Sequence, residues 1–351
     1  MVSVAGIARP SSVAQCGDGR AGGIVGPGFC CAQSGLRVLA TGVALLCALA
    51  IRHSGAAEAD CRELEQNYNL ARAGLTAIQL NAMLFTSAAR DCGALARRLT
   101  AAGASLQARD RAGAMPLALA ARGGHVALVE RFISEGAAID ARDLNGATAL
   151  YAAAEAQRPA TVAALLSHGG DPNLTGRSDV SPLAAAAFQG NDRIVELLLS
   201  RGADPDHVDA SGKAPIVYAA GRGFALIVRR LLDVGVDAKA HYGNDLTALM
   251  WAAGHEDGVN AAAAVAVIDL LIERGAVIDA ADNRGRTALM IAAERGDAVA
   301  VETLMMRGAG RDLRDKSGKS ALDLAGNTAV REKLSSHSDV PIVRPDMQRA
   351  P

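Results

Sequence analysis

The sequence predicts an all-α solenoid of about eight stacked helix–turn–helix units with β-turn tips. Two observations carry that prediction. First, one phrase recurs, beginning at Met115, Thr148, Ser181, Ala214, Thr247, Thr287 and Ser320, at intervals of 33, 33, 33, 33, 40 and 33 residues. A fixed period near 33 means one supersecondary unit stacked on itself. Second, half of the 351 residues are hydrophobic but only 3% are aromatic, which suits thin helices packed through Ala and Leu. Such a unit cannot bury its apolar face alone, so stability comes from the interfaces between neighbours.

Within a unit each element has its own reason. Asp110-Arg111-Ala112-Gly113 is a turn: Asp bonds its own backbone and Gly allows positive φ. Met115-Pro116-Leu117 opens a short helix, with Pro where its missing N–H costs nothing. Ala118 to Ala121 keep this helix thin, and Gly123-Gly124-His125 ends it. Val126, Leu128, Val129, Phe132 and Ile133 then form the apolar stripe of a second helix, closed by Gly136. Other copies repeat the small residue (Ala120, Ala153, Ala186, Ala219, Ala252, Ala292, Ala325) and the closing glycine (Gly103, Gly136, Gly169, Gly202, Gly235, Gly275, Gly308). The turn acid recurs at Asp110, Asp143, Asp209, Asp282 and Asp315, with Gly176 and Tyr242 in that place in two copies.

These residues give the chain a clear resemblance to the ankyrin-repeat family. That family's Thr-Pro-Leu-His phrase is approached by Ser181-Pro182-Leu183 and Thr247-Ala248-Leu249, while its His is absent from every copy. A degenerate first copy reads Leu84, Ala88, Leu95, Leu99 and Gly103-Ala104. The resemblance covers residues 77–335, with units starting near 77, 110, 143, 176, 209, 242, 282 and 315. It implies an ankyrin-repeat solenoid that binds a protein partner and carries no enzymatic activity or cofactor. The last unit ends in a cap, where Asp323 stands polar on an outer face, and residues 336–351 read as a disordered tail.

The N-terminus has another character. Residues 1–35 are rich in Gly, Ser and Ala, and Val38 to Ile51 is an uncharged run of fourteen residues between Arg37 and Arg52. A span needs about 20 apolar residues, whereas a signal-peptide core needs fewer. Ala57-Glu58-Ala59 is a small-x-small cleavage pattern. The expectation is a signal segment over 1–59, cleaved after Ala59, with 60–76 as a lead-in cap and the rest exported to the periplasm or secreted. The other reading is an uncleaved single-pass anchor over 38–51, which makes the chain a membrane-anchored envelope assembly factor with its repeats outside the cytoplasm. Cleavage would leave Cys61 and Cys92 alone of the six cysteines. An exported chain with two cysteines suits a disulfide, closing a loop worth roughly 3–4 kcal/mol. Two free thiols are the alternative.

No catalytic pattern stands out. The seven histidines are scattered without ligand spacing, and neither a Gly-x-Ser-x-Gly elbow nor a phosphate-binding loop is present. The net charge of −1 gives no signal for nucleic acid. The 40-residue interval places seven extra residues, Gly254 to Asn260, between the helices of the sixth unit. They read as a solvated loop that widens or decorates the binding surface, and as a poor metal site despite His255, Glu256 and Asp257.

The resemblance implies a concave surface lined by turn tips and exposed first-helix ends. Carried over by position, the partner-binding residues are Arg111, Arg122, Asn145, Arg177, Phe188, Gln189, Lys213, Arg222, Asn244, Arg284, Arg286 and Arg295. The set leans basic and so suits an acidic protein surface, although turn tips are polar in any solenoid. Phe188 is the expected exposed anchor, and Tyr218 and Trp251 fall where the pattern expects core. The chain is expected to act as a monomer.

Overall fold

The computed structural model describes residues 60–336. Residues 60–71 are helical (α1) and lead into paired helices. The pairs are α2 (Ala77–Ala89) with α3 (Gly93–Ala101), α4 (Pro116–Gly123) with α5 (Val126–Ser134), and α6 (Ala149–Glu155) with α7 (Pro159–Ser167). Next come α8 (Pro182–Gln189) with α9 (Asp192–Ser200), α10 (Pro215–Gly221) with α11 (Ala225–Asp233), and α12 (Ala248–Ala253) with α13 (Ala261–Glu273). The series closes with α14 (Ala288–Arg295) and α15 (Ala298–Met306), then α16 (Ala321–Leu324) and α17 (Thr328–Ser336). Even-numbered helices stack on one another from α2 to α16, and α5 to α17 form the second layer. The fold is the all-α solenoid that the period predicts. The segment 38–51 and the tail beyond 336 lie outside the described residues. Among the described residues no helix is long and apolar enough to cross a membrane.

The recurring phrase works as a helix start. The hydroxyls of Thr148, Ser181, Thr247, Thr287 and Ser320 each accept the backbone N–H three residues on. This satisfies one of the amides that a helix start leaves unpaired. Inside each first helix the repeated alanine is fully buried from Ala120 to Ala292. With no bulk beyond Cβ, it lets adjacent first helices close up, while Leu117, Leu150, Leu183, Ile216, Leu249 and Leu289 fill the space between layers. Asp323 is exposed, as the outer-face reading expects, and it also caps its helix. Its carboxylate accepts the Ser320 N–H at 2.9 Å and the Ser320 hydroxyl at 2.8 Å, closing a capping box.

Two kinds of tip follow from two sequences. Where the turn acid is present, one carboxylate oxygen accepts two backbone N–H groups: Asp143 binds those of Asn145 at 2.7 Å and Ala147 at 2.9 Å. Asp110, Asp209, Asp282 and Asp315 repeat this. Where Gly176 and Tyr242 replace the acid, the tip rearranges. Ser178 and Asp179, then Asn244 and Asp245, take paired positive φ values between 56° and 64°. That is the geometry of a tight hairpin turn, and the second tip carries a short antiparallel pair, β1 (His241–Tyr242) with β2 (Leu246–Thr247).

At the N-terminal end the structure places Cys61 of α1 and Cys92 in disulfide geometry, their Cα atoms 5.4 Å apart. The seven extra residues of the sixth unit do not form a loop alone. Relative to α15, helix α13 starts four residues early, so Ala261 to Ala264 add about one turn of helix. The first helix, α12, also ends two residues short of α14, so the connection from Gly254 to Asn260 is seven residues long against two before α15.

Candidate protein-binding surface

The turn tips and first-helix ends form one face, and its centre is aromatic. Tyr218 of α10 and Trp251 of α12 occupy equivalent places in consecutive units. The two preceding units have Ala152 and Ala185 there, and both rings are half-buried, packed against the edge of the core rather than enclosed in it. Phe188 meets the Tyr218 ring edge-on, with centroids 5.8 Å apart. It too is half-buried, which corrects the expectation of a free anchor. The Arg222 guanidinium covers Phe188 at 4.3 Å from the centroid and reaches Phe224 at 5.9 Å. The Lys213 ammonium lies 5.4 Å from the Tyr218 centroid and 4.6 Å from that of Trp251. Cations and rings thus alternate in one row across the middle units, each pair worth about 0.5–1 kcal/mol at such partly exposed sites.

Electrostatics hold this row in place. The Tyr218 hydroxyl donates to the Asp209 carboxylate. Burial and that carboxylate push the Tyr218 phenol up to about 12. Burial opposes ionisation of Asp209, yet hydrogen bonds from Tyr218, Ser211 and Lys213 win and hold it below the usual range. Tyr151 packs beside Ala185 and Ala147, with burial raising its phenol. The Trp251 indole N–H finds no acceptor within the described residues.

The expected binding residues fall into two groups. Arg111, Asn145, Arg177 and Asn244 are exposed at tips. Exposed Arg122 faces Glu155 at 3.9 Å, and Gln189 accepts from Gln157 at 3.2 Å. Arg284 folds back on the acid of its own turn, Asp282, at 2.8 Å. Arg286 is half-buried, pairs with Glu294 and lies 3.5 Å from Asp315 of the next unit, so it also ties units together. Lys213, Phe188 and Arg222 are the members that the fold gathers into one row.

The insertion is a mostly exposed loop, as expected, and three of its residues are tied to neighbouring units. Glu256 donates its N–H to Gly221 at 2.8 Å and places its carboxylate 3.6 Å from Arg222. Asp257 reaches Arg295 at 2.5 Å. His255 turns inward, with Nε2 2.8 Å from Asp297 Oδ2 and Nδ1 3.0 Å from the Glu256 carbonyl. Among the described residues no group of three or more His, Cys, Asp or Glu side chains could hold a metal ion.

Comparison with known proteins follows this geometry. Residues 84–176 and 183–263 match a family described as ankyrin repeats in three copies, and residues 271–325 one described as ankyrin repeats in many copies. The chain belongs to the ankyrin-repeat family. Among solved structures, the human ASB11 ankyrin repeat domain aligns with a TM-score of 0.58 and 27% identity, over 65% of this chain and 100% of that one. The ankyrin repeat domain of Bcl-3, described as a unique member of the IκB protein family, aligns at 0.54 and 24% identity, over 64% and 99%. The second likeness speaks to fold alone. No curated protein matches the sequence. Ankyrin repeats are protein-interaction modules, typically without catalysis.

Proposed function

We propose that this ankyrin-repeat protein is an exported, non-enzymatic scaffold that binds a partner protein on its tip-and-first-helix face. One observation carries the reading: the half-exposed row of Phe188, Tyr218 and Trp251 interleaved with Lys213 and Arg222. Aromatic and Arg side chains supply most of the energy in protein interfaces, and rings already braced by neighbours lose little entropy on binding. The basic members suit an acidic partner surface, and the scaffold acts as a monomer.

Export rests on the Val38 to Ile51 run and the Ala57-Glu58-Ala59 pattern, with an oxidised Cys61–Cys92 pair suited to that compartment. The second reading keeps 38–51 as an anchor, with the repeats on the same side of the membrane. N-terminal sequencing of the mature protein separates them, since a start at Asp60 supports cleavage and an intact 38–51 supports the anchor. Affinity capture with the wild-type chain, beside a Lys213→Glu and Arg222→Glu double variant, tests the binding face. A partner held equally by both would move the site elsewhere.

A further inference from the structure

Arg222, His255 and Arg295 stand at the same position of the fifth, sixth and seventh units. In the sixth unit the insertion follows at once. His255 is drawn inward to Asp297, while Glu256 and Asp257 turn to opposite sides and meet Arg222 and Arg295. The chain therefore lays two of its own carboxylates on two cations of its binding face. We propose that this face takes an acidic peptide segment of the partner, and that Glu256 and Asp257 occupy its cation sites until that segment displaces them. This rests on the scaffold reading above and adds the partner's chemistry and a built-in competitor.

Three observations support it. The tethers are exposed: the Asp257 side chain is fully open to solvent, and that of Glu256 is 53% exposed. Exposed ion pairs are weak and screened by salt, so a partner's carboxylates can replace them. The carboxylates also have room to swing away, because there is open space next to Asp257: nothing lies within 4 Å of where a Cβ on Gly258 would sit. Finally, Lys213 lies on the Tyr218 and Trp251 rings with no carboxylate facing it among the described residues. It is the cation the loop leaves open, and the point where an incoming acid would first land. The spacing of rings between cations asks for a ligand that alternates apolar and acidic groups, as a peptide does. A phosphate backbone carries charge at every step and lacks the apolar groups that would meet the rings.

The test uses the full chain and a fluorescein-labelled decapeptide alternating glutamate with leucine. A lysine–leucine decapeptide and a ten-nucleotide oligothymidylate serve as competing ligand classes. The wild type is expected to bind the glutamate peptide alone, with affinity falling as salt rises. Glu256→Gln with Asp257→Asn should bind it about three- to tenfold tighter, the loss of two exposed ion pairs. Lys213→Glu with Arg222→Glu should lose binding by more than tenfold, with thermal melts showing both doubles folded. Unchanged affinity in the loop double overturns the competitor while leaving the face intact. Equal binding of the lysine peptide, or preference for the oligonucleotide, overturns the acidic-peptide chemistry. Partner capture by the wild type then still judges the scaffold separately.

Discussion

His255 and Asp297 meet across the junction between the sixth and seventh units, Nε2 2.8 Å from Oδ2, with side chains only 11% and 14% exposed. Asp297 also caps α15, accepting the N–H groups of Val299 and Ala300 at 3.0 Å. Burial opposes its ionisation, but these amides and His255 prevail and hold its carboxyl below the ordinary 3.8. A carboxyl depressed in the folded state stabilises above its unfolded value, and that contribution disappears as pH falls through the folded value. Stability should therefore decline below about pH 4. Asp297→Asn keeps a capping oxygen and loses the charge, whereas Asp297→Ala loses both and should cost about 1 kcal/mol more. Thermal melts from pH 3 to 7 check this, and a wild-type acid slope retained in Asp297→Asn would assign it elsewhere.

Tyr218 makes a prediction at the opposite end of the pH scale. Its phenol is pushed up to about 12 by burial and Asp209. The unfolded phenol ionises near 10, so the stability it contributes is complete below that value and lost as pH rises towards 12. Burial also pushes the Tyr242 phenol up to about 12, so ultraviolet titration should show two tyrosines ionising late, and one of the two should be lost in Tyr218→Phe. That variant should lose about 1 kcal/mol, and Asp209, without the Tyr218 bond that helps to hold it low, should titrate nearer its ordinary value.

Glycine substitutions should separate two kinds of tip contact. Gly212 has a φ of 79°, and a Cβ there would sit 2.7 Å from the Gly243 Cα of the next unit. Gly136 has a φ of 90° but open space around it. Both substitutions to Ala incur the left-handed penalty of roughly 1–2 kcal/mol. Only Gly212→Ala must also push two units apart, so its urea midpoint should fall further. Equal midpoints would mean the tips slide freely past each other.

The Cys61–Cys92 pair closes a loop with sequence separation 31. The chain-entropy treatment gives a stabilisation of roughly 3–4 kcal/mol. In a stack, stability passes only between neighbours, so the effect should stay local. Hydrogen exchange after reduction, or in Cys61→Ser with Cys92→Ser, should rise in 60–71 and α2 and remain unchanged in α14 and α15. Uniform loosening along the chain would contradict nearest-neighbour behaviour.

The stack itself is legible in the sequence because its determinants are local. Thr148 caps its own helix, Gly136 closes its own helix, and Asp143 folds its own turn, so each reports without knowing its neighbours. The aromatic row is less legible because exposure depends on what other units bring. Tyr218 looks like core until the fold packs its ring against the edge of the core rather than inside it. Phe188 looks free until Arg222 and Tyr218 close over it. Asp323 shows the same limit at shorter range, since it faces solvent as its polarity suggests and only the geometry of Ser320 reveals that it also caps a helix. The insertion was visible as a count of seven, but its division between helix and connection depends on where Asn260 places its side chain as the cap of α13, accepting from Ala262 at 2.8 Å.

The longer α13 has one more consequence. A perfectly periodic array offers a ligand many equivalent offsets, and a partner could bind shifted by one unit with nearly the same contacts. The extra helical turn, with its two acids on either side, makes the sixth unit unlike every other. Translational degeneracy is removed there, and the array acquires an origin from which a partner's alignment is counted.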